Sequence, residues 1–278
     1  MADTADSGRV VDPVGKAGYE LAFEDTFEGD VLDQERWLPH YLPQWSSREA
    51  AAARYQLGGG VLRLRIEGDQ PPWCPEFDGQ TRVSSLQTGV FAGPVGSPVG
   101  QSRFRPGLVV RQAQQPARLY TPQYGLFELR ARATDDPRCM VALWMIGYED
   151  TPDRSAEICI CEIFGRNVTA DRAGVGMGLH PFGDATIHDE FSVEEIAIDA
   201  REFHLYAAEW TPEYVAFFVD HRLVKTVEQS PGYPMQFMLG IYEFPEDGRA
   251  SQSASPYPKQ FIIDYFRGYR PTMPPGPT

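Results

Sequence analysis

The chain has 278 residues and a formal net charge of −14, with no stretch rich in lysine and arginine. A nucleic-acid surface needs clustered basic side chains, so this charge distribution argues against nucleic acid as a partner. No apolar run approaches the about 18 residues of a membrane-spanning helix, and the first residues lack the basic and apolar regions of a signal peptide. A chain of this length commonly forms one all-β domain, which is the organisation we expect.

Short runs rich in Val, Ile, Phe, Tyr and Thr recur along the chain between turn residues, which include 24 prolines and 26 glycines. Val61–Ile66 and Tyr124–Arg132 alternate apolar and charged side chains, the pattern of antiparallel strands with one buried face. Further strands are predicted at Met140–Ile146, Glu157–Phe164, Gly174–His180, His204–Trp210, Tyr214–Val219, Leu223–Thr226, Gln236–Tyr242 and Phe261–Tyr269. So many strands with turn signals between them predict an all-β sandwich or barrel.

The chain divides into one domain with two less ordered ends. Residues 1–17 are polar without a pattern and residues 271–278 form a proline-rich tail, so we expect a flexible N-terminal segment, a single β-sandwich domain over 18–270, and a tail. Residues 93–122 are dense in Gly, Pro, Gln and Arg and predict a long loop of the kind that often carries function. Helical propensity rises only at residues 48–54, a segment too short to form a helix alone.

The four cysteines are Cys74, Cys139, Cys159 and Cys161, and no pair has the two-residue gap of a zinc or redox motif. Cys159 and Cys161 stand two apart in a strand-like run, so alternation predicts that they share a face and do not bridge each other. Sequence does not determine connectivity, so two alternatives remain: one disulfide between Cys74 and Cys139, or four free thiols.

Two glutamates stand five residues apart in the predicted strand Glu157–Phe164. Strict alternation would place Glu157 and Cys159 on one face and turn Glu162 to the opposite face, into the core. A one-residue β-bulge between Cys159 and Glu162 would return Glu162 to the face of Glu157, and bulges are favoured next to active sites. Because Glu157 and Glu162 are separated by an odd number of positions, their placement on one face requires a bulge.

The bulge leaves an effective offset of four residues, about 13 Å between backbones, from which two glutamate side chains can bring their carboxyls to roughly 5 Å. Retaining glycosidases use that separation, with one carboxylate as nucleophile and the other as general acid and base. An isolated pair of glutamates is more often a pair of solvated surface residues. Here the apolar neighbours Ile158, Ile160 and Ile163 favour the floor of a cleft.

The same segment resembles the signature of glycoside hydrolase family 16, Glu-x-Asp-x-x-Glu, in its bulged form. Other segments are similar to the family's strands in the same order: Leu21–Gly29, Gln123–Arg132, Ala142–Gly147, Phe203–Pro212, Phe217–Asp220 and Phe261–Tyr269. The resemblance spans roughly residues 19–270 and so covers essentially one whole domain.

The resemblance implies a jelly-roll sandwich of two curved antiparallel sheets with a sugar-binding cleft on the concave face. It makes Glu157 the nucleophile and Glu162 the general acid and base, and it puts Cys159 in the position of the family's aspartate. His180 matches a cleft histidine and Trp144 a tryptophan that lines the sugar site. A plain core role fits Trp144 nearly as well, because tryptophan is mostly buried on average.

The chain departs from the family pattern at two places. Cysteine is a weak donor and neutral near pH 7, whereas the family's aspartate bonds to the nucleophile and helps to set its charge, so Cys159 bears on activity. The laminarinase branch carries a Trp-Pro pair where this chain has Met140 and Val141, which removes one stacking surface.

The resemblance also implies a structural calcium on the convex face, held by the carbonyls of Thr26 and Gly60 and by Asp264. The alternative for Asp264 is a strand-edge aspartate that bonds to backbone. No cofactor is expected to take part in the chemistry.

These features predict an endo-acting retaining hydrolase of β-1,3-glucan. Galactan or agar stays open as the substrate, a non-catalytic glucan-binding module is the second interpretation, and a lectin-like sandwich ranks last because it needs no paired glutamates. Substrate contacts are expected from loops that include Trp45–Arg48, Trp73–Phe77 and Ile241–Glu246, in particular from Trp45, Arg48 and Tyr242. Since polymeric glucan lies outside cells, we expect a secreted protein, and a monomer.

Overall fold

The computed structural model describes residues 17–245 and 256–272 of the chain. Nearly all of the predicted flexible segment 1–17 and most of the predicted tail 271–278 lie outside the described residues, as does Glu246 of one predicted substrate loop. The proposed domain boundaries therefore stay a prediction.

The described residues form sixteen strands: β1 (Tyr19–Asp25), β2 (Arg54–Leu57), β3 (Leu62–Ile66), β4 (Arg82–Gln87), β5 (Gly89–Val90), β6 (Ala117–Arg118), β7 (Gly125–Arg132), β8 (Cys139–Gly147), β9 (Glu157–Phe164), β10 (Ala173–His180), β11 (Ser192–Ile196), β12 (His204–Trp210), β13 (Val215–Val219), β14 (Arg222–Val227), β15 (Met235–Glu243) and β16 (Lys259–Pro271). In the same residues, helical structure is confined to α1 (Pro75–Asp78) and to 3-10 turns at Pro43–Trp45 and Gly165–Asn167. Within this part of the chain, no helix has the length and apolar character needed to cross a membrane.

Two sheets contain most of the strands, and every strand pairing described is antiparallel. The larger sheet has eight strands, in the order β14-β13-β12-β7-β16-β3-β2, with β1 paired to β16. The smaller has six, in the order β11-β10-β9-β8-β15-β4, and β5 pairs with β6 alone. The predicted all-β jelly-roll sandwich is confirmed.

The core fills the space between the two sheets, but the six-stranded sheet is buried on both faces. In β8, Leu143 and Met145 point into the core between the sheets, whereas Ala142 and Trp144 belong to a second apolar cluster. We call the side that carries this second cluster the cleft face. Burial on both faces explains why β8 reads as a continuous apolar run rather than an alternating one.

The sequence pattern does not reveal β4, because Ser84, Ser85 and Gln87 interrupt its apolar run. All three are nevertheless buried. The Ser84 hydroxyl donates to the carbonyl of Arg65 at 2.6 Å, and the side-chain oxygen of Gln87 accepts from the Leu42 N–H at 3.3 Å. Hydrogen bonds of this kind allow polar side chains to occupy a buried strand, where a pattern of apolar residues cannot detect them.

All four cysteines are free thiols. Cys74 lies in the cleft-face cluster and Cys139 in the core between the sheets. The disulfide that the sequence left open between these two residues therefore does not form.

Candidate active site

A β-bulge interrupts the middle of β9. In the ladder with β8, the partners of Leu143 and Trp144 are Cys161 and Cys159, so Ile160 is the extra residue. The ladder with β10 shifts register over the same stretch. The structure confirms the bulge that the parity of the two glutamates predicts.

The bulge determines which way the side chains of β9 point. Ile160 and Cys161 are consecutive, yet both belong to the core between the sheets, whereas Cys159 belongs to the cleft face. Glu162 then returns to the face of Glu157 and Cys159. The expectation that Cys159 and Cys161 share a face is wrong, because it counts alternation without the extra residue.

Glu157 is the more deeply buried of the two carboxylates, with 9% of its surface exposed. Its ladder partners are Ile146 on β8 and His180 on β10. Burial raises the pKa of Glu157 to about 8, and the nearby charge of Glu162 adds to the rise. Within the described residues, no hydrogen bond to the Glu157 carboxylate opposes this shift.

Glu162 lies in a more polar setting. Burial raises its pKa as well, but the charges of His180 and Arg166 oppose the rise. Arg166 lies two residues after the end of β9, and its guanidinium lies 4.0 Å from the ring centroid of Phe164. The surroundings therefore favour ionisation of Glu162 more than that of Glu157.

His180 is held in place from two sides. Its Nδ1 lies 3.1 Å from a carboxylate oxygen of Asp189, and its ring stacks on Phe191 at 4.7 Å between centroids. Gly176 is the ladder partner of Glu162, and a Cβ at Gly176 would lie 2.5 Å from the Phe191 ring. A residue without a side chain is required here so that Phe191 can approach β10 closely.

Cys159 is buried between the two glutamates on the cleft face. Burial raises the pKa of its thiol well above the usual range, and the charges of Glu157 and Glu162 act in the same direction. The group is therefore neutral and only a weak hydrogen-bond donor. The thiol does not give Glu157 the strong hydrogen bond that a carboxyl group could supply.

Aromatic side chains line the cleft face beside β9. Trp144 donates from Nε1 to the hydroxyl of Tyr242 at 3.0 Å. Tyr41 lies edge-on to both Tyr242 and Trp73, with centroid separations of 5.4 and 4.6 Å. Trp144 and Tyr242, both predicted as substrate contacts, thus belong to one aromatic cluster that contains polar groups, where they are 8% and 4% exposed.

Trp45 and Arg48, also predicted as substrate contacts, are placed differently, although Trp45 belongs to the same cleft-face cluster. Trp45 is 0% exposed, and its Nε1 donates to the carbonyl of Gln101 at 2.8 Å, so it supports the long loop and offers no surface to a sugar. The prediction of a direct contact by Trp45 is wrong. Arg48 is exposed and donates from Nε to the side-chain oxygen of Gln114 at 2.9 Å. No contact described here joins Arg48 to the two glutamates.

The predicted calcium ligands do not form a favourable site. Asp264 makes an ion pair with Arg130, and a carboxylate already neutralised by a guanidinium is a poor ligand for a hard cation. Among the described residues, no group of three or more His, Cys, Asp or Glu could hold a metal ion. The ion pair disfavours Asp264 as a ligand, and calcium at Thr26, Gly60 and Asp264 stays a prediction.

Arg166 and Phe191, which lie near the carboxylates, were not predicted from the sequence, and neither was Glu149 in the connection between β8 and β9. Arg166 lies four residues after Glu162, the last residue of the motif, so an inspection of the flanks of the motif could have found it. Phe191 reaches the site through the loop after β10, and Glu149 is 8% exposed in the connection between β8 and β9. No sequence pattern marks either one, because the fold alone brings them close.

Comparison with known proteins agrees with this geometry. The model of the family Glycosyl hydrolases family 16 matches residues 119–257. A β-glucanase from Rhodothermus marinus is 28% identical over 167 residues, which cover 53% of this chain and 57% of that protein. A GlcNAcα1-4Gal releasing endo-β-galactosidase from Clostridium perfringens is 31% identical with a TM-score of 0.79, over 94% of this chain and 65% of that chain.

The laminarinase from Flavobacterium sp. UMI-01 has a TM-score of 0.62 and 21% identity, over 90% of this chain and 100% of that chain. Identity at this level shows a shared fold alone. The chain spans less than two thirds of the β-glucanase and of the endo-β-galactosidase, at 57% and 65% of their lengths. The family model, however, matches half of the chain and includes both Glu157 and Glu162. The chain therefore belongs to family 16 of the glycosyl hydrolases.

Proposed function

We propose that the protein is an endo-acting, retaining glycoside hydrolase that cleaves β-linked glucan. The observation that supports this most directly is the placement of Glu157 and Glu162 on one face of the bulged β9, beside an aromatic surface. Two carboxylates on one face can divide the work of a double displacement between them. A binding protein would have no use for this arrangement.

In the proposed mechanism, the Glu157 carboxylate attacks the anomeric carbon while Glu162 donates its proton to the departing glycosidic oxygen. The bond from the anomeric carbon to that oxygen breaks, and an ester between the sugar and Glu157 forms. Water then attacks the same carbon, Glu162 accepts its proton, and Glu157 leaves as a carboxylate. Each step uses the residues of the chain and water only.

The two carboxyls must share one proton for this cycle to begin. Burial and Glu162 raise the pKa of Glu157 to about 8, whereas His180 and Arg166 favour the ionised form of Glu162. The surroundings in the free protein thus favour a protonated Glu157, whereas attack requires Glu157 to be ionised and Glu162 to hold the proton.

A glucan substrate is supported by the β-glucanase relative. The test is the release of reducing ends from laminarin, lichenan and agarose by the purified chain, by Glu157→Gln and by the exposed, matched control Glu202→Gln. We expect release from laminarin by the unmodified chain and the control but not by Glu157→Gln. Absence of release from every polysaccharide would reject hydrolysis.

A galactose-containing glycan is the second candidate. The endo-β-galactosidase is more similar to this chain than the Flavobacterium laminarinase is, in identity (31% against 21%) and in TM-score (0.79 against 0.62). A glycan that ends in GlcNAcα1-4Gal through a β-galactosidic linkage is therefore assayed in parallel. Faster release from this glycan than from laminarin would change the proposed substrate and leave the proposed mechanism in place.

A non-catalytic glucan-binding module is the rival function. Cys159 favours it, because the neutral thiol does not support an ionised Glu157. The two functions separate in one measurement, since a binding module is retarded on a gel that contains laminarin but releases no reducing ends.

We further propose that the protein acts outside the cell as a monomer, because its polymeric substrate lies there. Fractionation of the source culture tests the location, and light scattering after size-exclusion chromatography tests the mass. Recovery of the protein in the intracellular fraction would contradict the extracellular location. A mass of two chains would contradict the monomer.

A further inference from the structure

A cavity of about 520 Å³ lies at one end of the cleft face. Its wall is formed by Ile146 and by residues from three segments, 98–103, 149–155 and 182–183. Ile146 is the ladder partner of Glu157 on one side, and Phe182 follows its partner on the other side, His180, by two residues. The cavity therefore adjoins the strand ends beside Glu157, and its volume lies in the range of about 300–1,000 Å³ that is usual for small-molecule sites.

Glu149 contributes a buried carboxyl group to this cavity. One oxygen accepts a hydrogen bond from the Ser102 N–H at 2.5 Å, and the other has no hydrogen-bond partner among the described residues. The backbone of Glu149 has a φ of 54°, in the left-handed region that is unfavourable for residues with side chains. A mostly buried carboxyl that lines a cavity from a strained backbone, with one oxygen that no described residue occupies, points to a role in binding.

Phe182 lies at the mouth of the same cavity, with 59% of its surface exposed. Its ring lies edge-on to His180 at 6.0 Å between centroids, so it is placed next to the catalytic cleft. An exposed aromatic ring can stack on the C–H face of a sugar, while a carboxyl group at the wall bonds to its hydroxyls. The cavity offers both groups together.

The chemistry of the cavity favours a neutral sugar over a charged ligand. Burial raises the pKa of Glu149 to about 8, which favours the protonated carboxyl, and this form donates and accepts hydrogen bonds as a sugar hydroxyl does. The walls include Val99, Ile146 and Pro152, and an apolar wall disfavours an unpaired ionic group. Arg103, the cationic residue at this cavity, is exposed to solvent.

We infer that this cavity is a distal subsite for a neutral hexose unit of the polysaccharide, in which Glu149 bonds to the sugar hydroxyls and Phe182 stacks on the ring. The inference rests on the proposed cleavage of a β-linked glycan, whose chain must extend past Glu157 to enter the cavity. Only oligosaccharides long enough to pass the cleavage point fill the subsite. Glu149 and Phe182 are thus residues that select for chain length.

The test measures dissociation constants by calorimetry in a Glu157→Gln background, where turnover does not consume the ligand. The probes are laminari-oligosaccharides of two to six units and a matching galacto-oligosaccharide series. Glu149→Gln and Phe182→Ala are compared with Glu202→Gln and Leu223→Ala, which change exposed residues on the other sheet or its connections. We expect the subsite variants to weaken binding of the longest oligosaccharides about tenfold and of the shortest less than about twofold, with no change in the controls.

Thermal unfolding of each variant shows that it is folded before binding is measured. Equal affinity of the subsite variants and their parent at every chain length would overturn the subsite, while hydrolysis of laminarin by the unmodified chain would keep the proposed function. Length-dependent loss of binding in a chain that hydrolyses no polysaccharide would instead reject the proposed function and support the subsite. Absence of binding by the parent at every length would overturn the subsite.

Discussion

Two groups of buried acidic side chains in this protein differ in how their charge is balanced. In the first group, which we call the paired acids, Asp136 forms an ion pair with Lys259, and both side chains are 0% exposed. Glu243, also buried, pairs with Arg82 and Arg138 at 3.2 and 3.0 Å. Each acid of this group is neutralised by a basic partner, as buried charges usually are.

The second group, which we call the unpaired acids, includes Glu157 and Glu149. Both are buried, neither has a basic partner among the described residues, and burial raises the pKa of each to about 8. The contrast shows that this fold can neutralise a buried acid but does not do so at the cleft. Acids left in this state reduce stability and are retained where binding or chemistry requires them.

The largest effect is expected from Glu157→Gln. Loss of the nucleophile should lower kcat about 10⁴-fold, whereas removal of an unfavourable buried acid should raise the melting temperature. Steady-state kinetics and thermal unfolding at pH 7 measure the two quantities, with Glu202→Gln as the control. Near-normal turnover by Glu157→Gln would exclude Glu157 as the nucleophile.

Lys259→Met should produce the opposite pattern at the paired acids. It leaves a buried carboxylate without the Lys259 ammonium and should destabilise the fold by about 3–5 kcal/mol. Denaturant unfolding measures this change, and kcat per folded molecule should stay at its normal value well below the melting temperature. If Lys259→Met lowered the free energy of unfolding by less than about 1 kcal/mol, the ion pair would contribute little, and the proposed contrast between paired and unpaired acids would fail.

Cys159→Asp should give Glu157 a strong hydrogen-bond donor, which the thiol does not provide. A carboxyl at this position can donate a hydrogen bond to Glu157 and favour its ionised form, so kcat should rise about tenfold. Cys161→Ala serves as a matched control, because Cys161 faces the core between the sheets. An equal response of the two variants, or no response to Cys159→Asp, would show that the thiol is a neutral replacement.

The pH profile should show that the pair works with one proton. Between the pKa of Glu162 and that of Glu157, about 8, the pair holds a single proton and is active. As the pH rises through about 8 the pair loses this proton, and as it falls through the raised pKa of Glu162 the pair gains a second, so kcat/KM should fall on both sides. A profile that is flat from pH 6 to 10 would contradict the assignment.

The smallest effect concerns stability at Glu149. A carboxyl whose pKa is raised in the folded state binds its proton more tightly there than in the unfolded chain, so its contribution to stability declines as the pH rises from about 4.5 to about 8. Glu149→Gln lacks this decline and should melt a few degrees higher than the unmodified chain at pH 8, at about 2–4 °C per kcal/mol. Parallel melting curves from pH 5 to pH 8 would argue against a buried, protonated Glu149.

The sequence predicted the parts of the site that lie on one strand. The spacing of Glu157 and Glu162 conflicts with strand alternation unless a bulge intervenes, so the motif itself contained the information. Nothing of this kind distinguishes Trp45 from Trp144, because both are tryptophans among apolar or turn residues. Only the packed fold shows that both rings lie in the cleft-face cluster and that Trp45 is fully enclosed there, whereas Trp144 is 8% exposed.

Other parts were beyond prediction because they depend on contacts between distant segments. Glu149 is an ordinary acidic residue of a connection until the loop at 98–103 encloses it. Strand β4 escapes detection because its buried polar side chains find their hydrogen-bond partners in β3 and in the segment before β2. Local patterns carry no information on partners that lie tens of residues away.

The register shift at Ile160 appears in the ladders on both sides of β9, so three strands share a single irregularity. Deletion of Ile160 would leave a regular strand that keeps both glutamates on the cleft face, whereas regular pairing of the intact sequence would turn Glu162 into the apolar core. Transplantation of the two glutamates into another sandwich would fail for the same reason if β9 moved alone. The smallest transferable catalytic unit is therefore the continuous segment from β8 to β10, residues 139–180, with the bulge at Ile160 intact.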